Sequence, residues 1–197
     1  MRLGIYGGSF DPVHNAHLAL AAACQQQAAL DEVWFTPTAV QPLKQRGPHA
    51  TDAQRLEMLQ LAIADTSAWR ICTLEIERGG FSYTIDTLHQ IQVELPEAEL
   101  FFLMGADALR DVPHWKSPRE VFSLATPLVV RRAGQPDPDL SALASLCVAM
   151  HQPQLVEMPP MEISSTEIRS RVVAGESIQE VVPPSVADFI ASHGIYK

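Results

Sequence analysis

The sequence predicts an α/β protein, a doubly wound parallel sheet with helices on both faces, followed by a helical C-terminal region. Three observations carry this expectation. Short apolar runs alternate with helical patterns, as they do when parallel strands are joined by helical crossovers. The first apolar run ends in two glycines immediately before a helix, a strand–loop–helix opening. Strand patterns stop after Glu157, and only helical stretches follow.

Taken in order, Leu3–Tyr6 is the first strand, closed by Gly7-Gly8. Leu18–Ala29 is an alanine-rich amphipathic helix, and Val33–Thr36 is the second strand. Gln41–His49 is polar, interrupted by proline and glycine, and is expected to be a mobile loop beside that strand's end. Thr51 and Gln54 have capping-box spacing ahead of a helix at Ala53–Ala64, whose apolar stripe is Leu56, Leu59, Ala62 and Ile63. Strands at Arg70–Glu75, Leu100–Met104, Leu128–Val130 and Leu155–Glu157 alternate with helices at Ile85–Val93, Arg119–Ser123 and Leu140–Ala149. Ser165–Ala174 and Val186–Ser192 are final helices, each followed by a terminating glycine, Gly175 and Gly194. A chain of 197 residues suits one domain, here a core over 1–160 and a helical region over 161–197.

Composition narrows the function. Hydrophobic residues make up 47% and charged residues 19%, ordinary for a globular chain. A net charge of −9 argues against non-specific nucleic-acid binding, so an anionic substrate needs a local basic cluster. No apolar stretch reaches the length of a membrane span, and no signal-peptide pattern opens the chain. Cys24, Cys72 and Cys147 are odd in number and form no C-x-x-C pair, which fits reduced thiols in a cytoplasmic protein.

The chemistry concentrates at Gly7-Gly8-Ser9-Phe10-Asp11-Pro12-Val13-His14-Asn15-Ala16-His17. Glycines let phosphate approach the backbone, and a helix N-terminus offers free N–H groups and the positive end of a dipole. His14 and His17 add donors, and a nearby phosphate favours the imidazolium, which donates from both nitrogens. Alone, such a pair also fits a structural histidine or half of a zinc site, but no third and fourth ligand has suitable spacing. A second cluster is Ile163-Ser164-Ser165-Thr166-Glu167-Ile168-Arg169. Ser164 and Glu167 have capping-box spacing, which a plain surface helix would share; the three hydroxyls and Arg169 one turn in also suit a polyphosphate cradle.

These two stretches, about 150 residues apart, resemble the N- and C-terminal signatures of the nucleotidyltransferase superfamily, with Ala16 where the first signature has glycine. Phe81-Ser82-Tyr83-Thr84, and Met104-Gly105-Ala106-Asp107 followed by Trp115, resemble elements of bacterial nicotinate-mononucleotide adenylyltransferases. Singly, Tyr83-Thr84 could cap a helix, Asp107 could be a solvated acid and Trp115 a core residue; it is their order that carries the likeness. The resemblance implies a Rossmann-like sheet of order 3-2-1-4-5-6 and adenylyl transfer from ATP, accompanied by Mg2+, to nicotinate mononucleotide, yielding deamido-NAD and pyrophosphate. It implies that Gly7, Gly8, Ser9 and Phe10 shape the nucleotide loop. His14, His17, Lys44 and Arg169 act on the phosphates, and Ser164, Ser165, Thr166 and Arg132 hold ATP. Gly105 and Asp107 lie against nucleotide, with Asp107 ordering a ribose hydroxyl. Ser9, Tyr83, Thr84, Trp115 and Lys116 take the mononucleotide, whose ring carboxylate meets backbone at Thr84 and Lys116. Lys44 stands in a Pro-Pro-His-Lys-like segment that here reads Gln41-Pro42-Leu43-Lys44. Of Arg131 and Arg132, the second is favoured. The alternatives are another transferase of the superfamily, such as phosphopantetheine adenylyltransferase, and a non-catalytic nucleotide sensor.

Overall fold

A computed structural model describes residues 1–43 and 47–197. Six parallel strands lie in the order β3-β2-β1-β4-β5-β6. They are β1 (Arg2–Gly8), β2 (Glu32–Pro37), β3 (Trp69–Ile71), β4 (Glu99–Gly105), β5 (Ala125–Arg132) and β6 (Gln154–Met158). The expected strand order holds. Chain direction through the sheet reverses between β1 and β4, which pair as Leu3↔Leu100 and Ile5↔Phe102. Crevices open at such a switch point, at the carboxyl ends of the strands.

The helices are α1 (Asn15–Gln27), α2 (Asp52–Ile63), α3 (Leu74–Arg78), α4 (Thr84–Glu94), α5 (Pro118–Leu124), α6 (Ser141–Ala144), α7 (Ser165–Ala174) and α8 (Pro184–Ser192). Side chains alternate through the sheet as the pleat requires. Leu3, Ile5, Leu100 and Phe102 pack with α4 and α5 through Leu88, Ile91 and Phe122. Tyr6, Val33, Phe35, Phe101 and Leu103 pack on the other face with α1, α2 and α8 through Cys24, Leu59 and Val186. Both faces being buried explains why the strands read as continuous apolar runs.

Four expectations are corrected. The third strand stops at Ile71, and Leu74–Arg78 is helical. Glu75 and Glu77 suit a first helical turn, Thr73 bonds Glu77, and Gly79 at φ 67° ends the helix. The helix expected over Leu140–Ala149 shrinks to α6 and a separate 3-10 turn at Ala149–His151. The Ser145 hydroxyl donates to the Ala142 carbonyl at 2.7 Å, the kind of local bond that competes with helix. On α2 the buried residues are Arg55, Met58, Leu59 and Ile63, so a fully buried arginine takes the place read for Leu56. Helix α1 begins at Asn15, three residues early, which makes His14 its N-cap and His17 its third residue. Cys24 and Cys72 are buried free thiols and Cys147 is half-buried.

Candidate active site

Two cavities open at the carboxyl ends of the strands, one on each side of the β1–β4 junction. The first, about 210 Å³, lies against Thr38, Ser82, Tyr83, Thr84, Trp115 and Lys116. The second, about 220 Å³, lies against His14, Ala16, His17, Asp107, Arg131 and Arg132. Tyr6 and Gly105 line both. Ser9, Phe10, Ser164, Ser165, Thr166 and Arg169 line neither cavity; the other sequence-predicted residues among those described fall on one or both.

Between them stands the glycine loop. A Cβ added to Gly8 would stand 3.0 Å from the buried Phe10 ring, which would have to shift by a few tenths of an ångström to admit it. Gly105 is different. Its φ of −71° suits any residue, and an added Cβ would meet nothing within 4 Å. The protein leaves that space open where the two cavities join.

At the mouth of α1 the rings of His14 and His17 stack, with centroids 3.6 Å apart. The His14 N–H donates to Nδ1 of His17 at 3.2 Å, which leaves Nε2 of a neutral His17 to carry the proton. His14 is 5% exposed, and burial pulls its pKa down from 6.5 to about 4. Desolvation thus favours the neutral ring in the ligand-free chain; the imidazolium expected from the sequence is that of a phosphate-bound site. No acidic residue lies in the first turn of α1 to offset its dipole.

Helix α7 is tied to the glycine loop. The Ser165 hydroxyl donates to the Pro12 carbonyl at 2.9 Å, and Nη1 of Arg169 donates to the Asp11 carbonyl at 2.8 Å. Ser164 Oγ caps the helix by accepting from the Glu167 N–H, and Thr166 Oγ1 accepts from Arg169. Ser165 thus spends its proton within the protein, whereas Ser164 and Thr166 accept in these bonds and keep an O–H to donate; the helix's leading N–H groups lack intrahelical acceptors. Arg131 is ion-paired with Asp137 and Glu157. The Arg132 side chain has no ion pair or hydrogen bond among the described residues, which makes it the available cation of the two.

In the first cavity, Thr84 opens α4, so its N–H also lacks an intrahelical acceptor. Trp115 is half-buried, stacked on Phe122 at 5.9 Å and edge-on to Phe102 at 5.4 Å, which fixes its ring against the cavity. Lys116 Nζ bonds both Asp86 oxygens at 2.9 Å and lies 4.7 Å from the centre of the Tyr83 ring. Ser9 Oγ reaches Gln41 at 3.4 Å. Lys44 lies outside the described residues.

Sequence reasoning passed over three residues that organise the site. Arg55, fully buried, donates to the Ser9 carbonyl at 2.6 Å and the Thr38 carbonyl at 2.7 Å, joining the glycine loop to the end of β2. An arginine among the apolar positions of α2 was the available sign. Glu75 is 5% exposed in the first cavity, accepts from the Thr87 hydroxyl at 2.8 Å, and has its pKa raised by burial. Nothing local in the sequence marks it. Asp11 stood inside the first signature without an assigned role.

The strand order, the glycine loop at a helix mouth and the crevice at the switch point define a nucleotide-binding α/β protein. Residues 5–171 match the family described as cytidylyltransferase-like, and the chain belongs to that family. Within it the chain falls among the nicotinate-nucleotide adenylyltransferases. A "probable nicotinate-nucleotide adenylyltransferase" of Herpetosiphon aurantiacus is 40% identical, over 99% of this chain and 98% of that one. The protein of the same name in Rhodopirellula baltica is 36% identical over 99% and 93%. The nicotinic acid mononucleotide adenylyltransferase of Plasmodium falciparum, solved in complex with NaAD, has the same fold, with a TM-score of 0.81 over 99% of this chain and 97% of that one, at 20% identity.

Proposed function

We propose that the chain transfers the adenylyl group of ATP to nicotinate mononucleotide, giving deamido-NAD and pyrophosphate. The observation that carries this is the pair of cavities joined at Tyr6 and Gly105, beside the stacked histidines. One cavity takes the mononucleotide and the other ATP, so the attacking 5′-phosphate and the α-phosphorus meet at the junction. A phosphate is already a nucleophile at neutral pH, and no side-chain base is needed. Catalysis then rests on holding the two in line and stabilising charge on the transferring group.

His17 donates from Nε2, and the triphosphate draws a proton onto His14. Arg169, Arg132 and the first N–H groups of α7 hold the phosphate tail, with Lys44 assigned to the acceptor phosphate. Asp107, exposed at the rim, takes a ribose hydroxyl. ATP enters as its Mg2+ complex, the ion carried by phosphate oxygens and water. The mononucleotide ring stacks on Trp115, and its carboxylate accepts from the N–H groups of Thr84 and Lys116. No helix among the described residues is long and apolar enough to cross a membrane. Buried reduced thiols fit a cytoplasmic protein.

Pyrophosphate release with nicotinate and nicotinamide mononucleotides side by side tests the reading. An amide would turn its NH₂ toward N–H donors, so the acid should be preferred by at least ~10²-fold in kcat/KM. Trp115→Ala should weaken both acceptors alike. Equal kcat/KM for acid and amide would overturn the assigned substrate.

A further inference from the structure

Asp11 is 3% exposed, and everything around it converges on it. The N–H groups of His49 and Ala50, at the far end of the loop after β2, donate to Oδ2 and Oδ1 at 2.7 and 3.0 Å. The Tyr196 hydroxyl, from beyond α8, donates to Oδ1 at 2.9 Å. Arg169 meets the same residue twice, through the main-chain carbonyl at 2.8 Å and with Nη1 3.7 Å from Oδ2. We propose that Asp11 is a positioning residue for the ATP half of the reaction: it holds the Arg169 guanidinium beside the glycine loop, and the Tyr196 hydroxyl fixes the carboxylate that does so.

The chemistry supports this division. An arginine free to rotate loses side-chain entropy when phosphate orders it. Arg169 is pinned beforehand between Asp11 and Thr166, and its remaining N–H groups have no protein partner among the described residues. Pinning shifts that cost from ligand binding to folding. Tyr196 is suited to the task because burial and the Asp11 charge both raise its pKa, so the phenol keeps its proton and donates throughout the working range. Its backbone is held at φ 69°, a left-handed conformation rare for tyrosine. The same carboxylate receives the end of the loop that carries Lys44, so the two phosphate-binding segments share one anchor.

The inference rests on the ATP assignment above, and its test is kept separate from turnover. Asp11→Asn would set an amide against several donors and endanger folding, so Tyr196→Phe, which removes one hydroxyl, is the variant of choice. ATP and nicotinate mononucleotide affinities are measured separately by calorimetry on the full chain, for Tyr196→Phe, Arg169→Ala and the double variant. Tyr196→Phe should weaken ATP about tenfold, the loss of one charged hydrogen bond partly transmitted, and leave mononucleotide affinity within about twofold. In the Arg169→Ala background it should add nothing, because it acts through that side chain. Unchanged ATP affinity, an equal loss for both ligands, or full additivity would each refute the positioning role. A parent protein that binds ATP yet releases no pyrophosphate would sink the proposed function and leave this result standing.

Discussion

Acidification should destabilise the chain through His14, and by an amount that can be stated. Burial lowers its pKa from 6.5 to about 4 in the folded protein. Between those values the unfolded chain takes up a proton that the folded one refuses, so the unfolded state binds more protons and stability rises with pH. The contribution is fully present above 6.5 and is lost as pH falls toward 4. A shift of that size corresponds to about 3 kcal/mol in total, of which about 2 kcal/mol is gone by about pH 5. The side chain is 5% exposed, so solvent screening takes little from this figure. Denaturant unfolding of the parent and of His14→Gln, followed from about pH 7.5 to about pH 4.5, isolates the residue, because other groups titrate in both proteins. The two curves of stability against pH should converge as pH falls. Parallel curves would show that His14 is not held neutral by burial. The same linkage predicts proton uptake when ATP binds, measurable by calorimetry in buffers of different ionisation enthalpy.

Two further outcomes follow from the site. His17→Ala should lower kcat by ~10²–10³, the cost of one preorganised donor, without unfolding the protein; near-normal kcat would remove its assigned role. Gly105→Ala places a methyl in space the fold leaves open, so stability should change by less than about 0.5 kcal/mol while kcat/KM falls at least ~10-fold. Retention of full activity would mean that neither substrate approaches that backbone.

The two phosphate signatures were legible because each is contiguous. Gly7, Gly8, His14 and His17 fall within one strand–loop–helix, and Ser164 to Arg169 within one helix start, so local chemistry announces them. The strands were legible because a sheet buried on both faces writes apolar runs. Arg55, Glu75 and Tyr196 were not, since each acts on partners distant in sequence; the Tyr196–Asp11 bond spans 185 positions. The ionisation of His14 was also out of reach. Proximity to phosphate argued for the charged ring in the bound state, and only the burial of the side chain shows that the free protein favours the neutral one.

By itself, then, the sequence determined the alternation of strands and helices, the glycine loop and the residue types that can hold phosphate, because these depend on patterns within one or two turns of chain. Tertiary structure decided which hydroxyls remain available. Ser165 is bonded to Pro12, while Arg131 is neutralised by two acids and Arg132 is not. It also set Trp115 and Lys116 on one cavity and His14, His17 and Arg132 on another, with Tyr6 and Gly105 lining both. Those outcomes depend on which groups the crossovers bring together across the sheet, and hydrogen-bond satisfaction and desolvation are properties of that assembled surround.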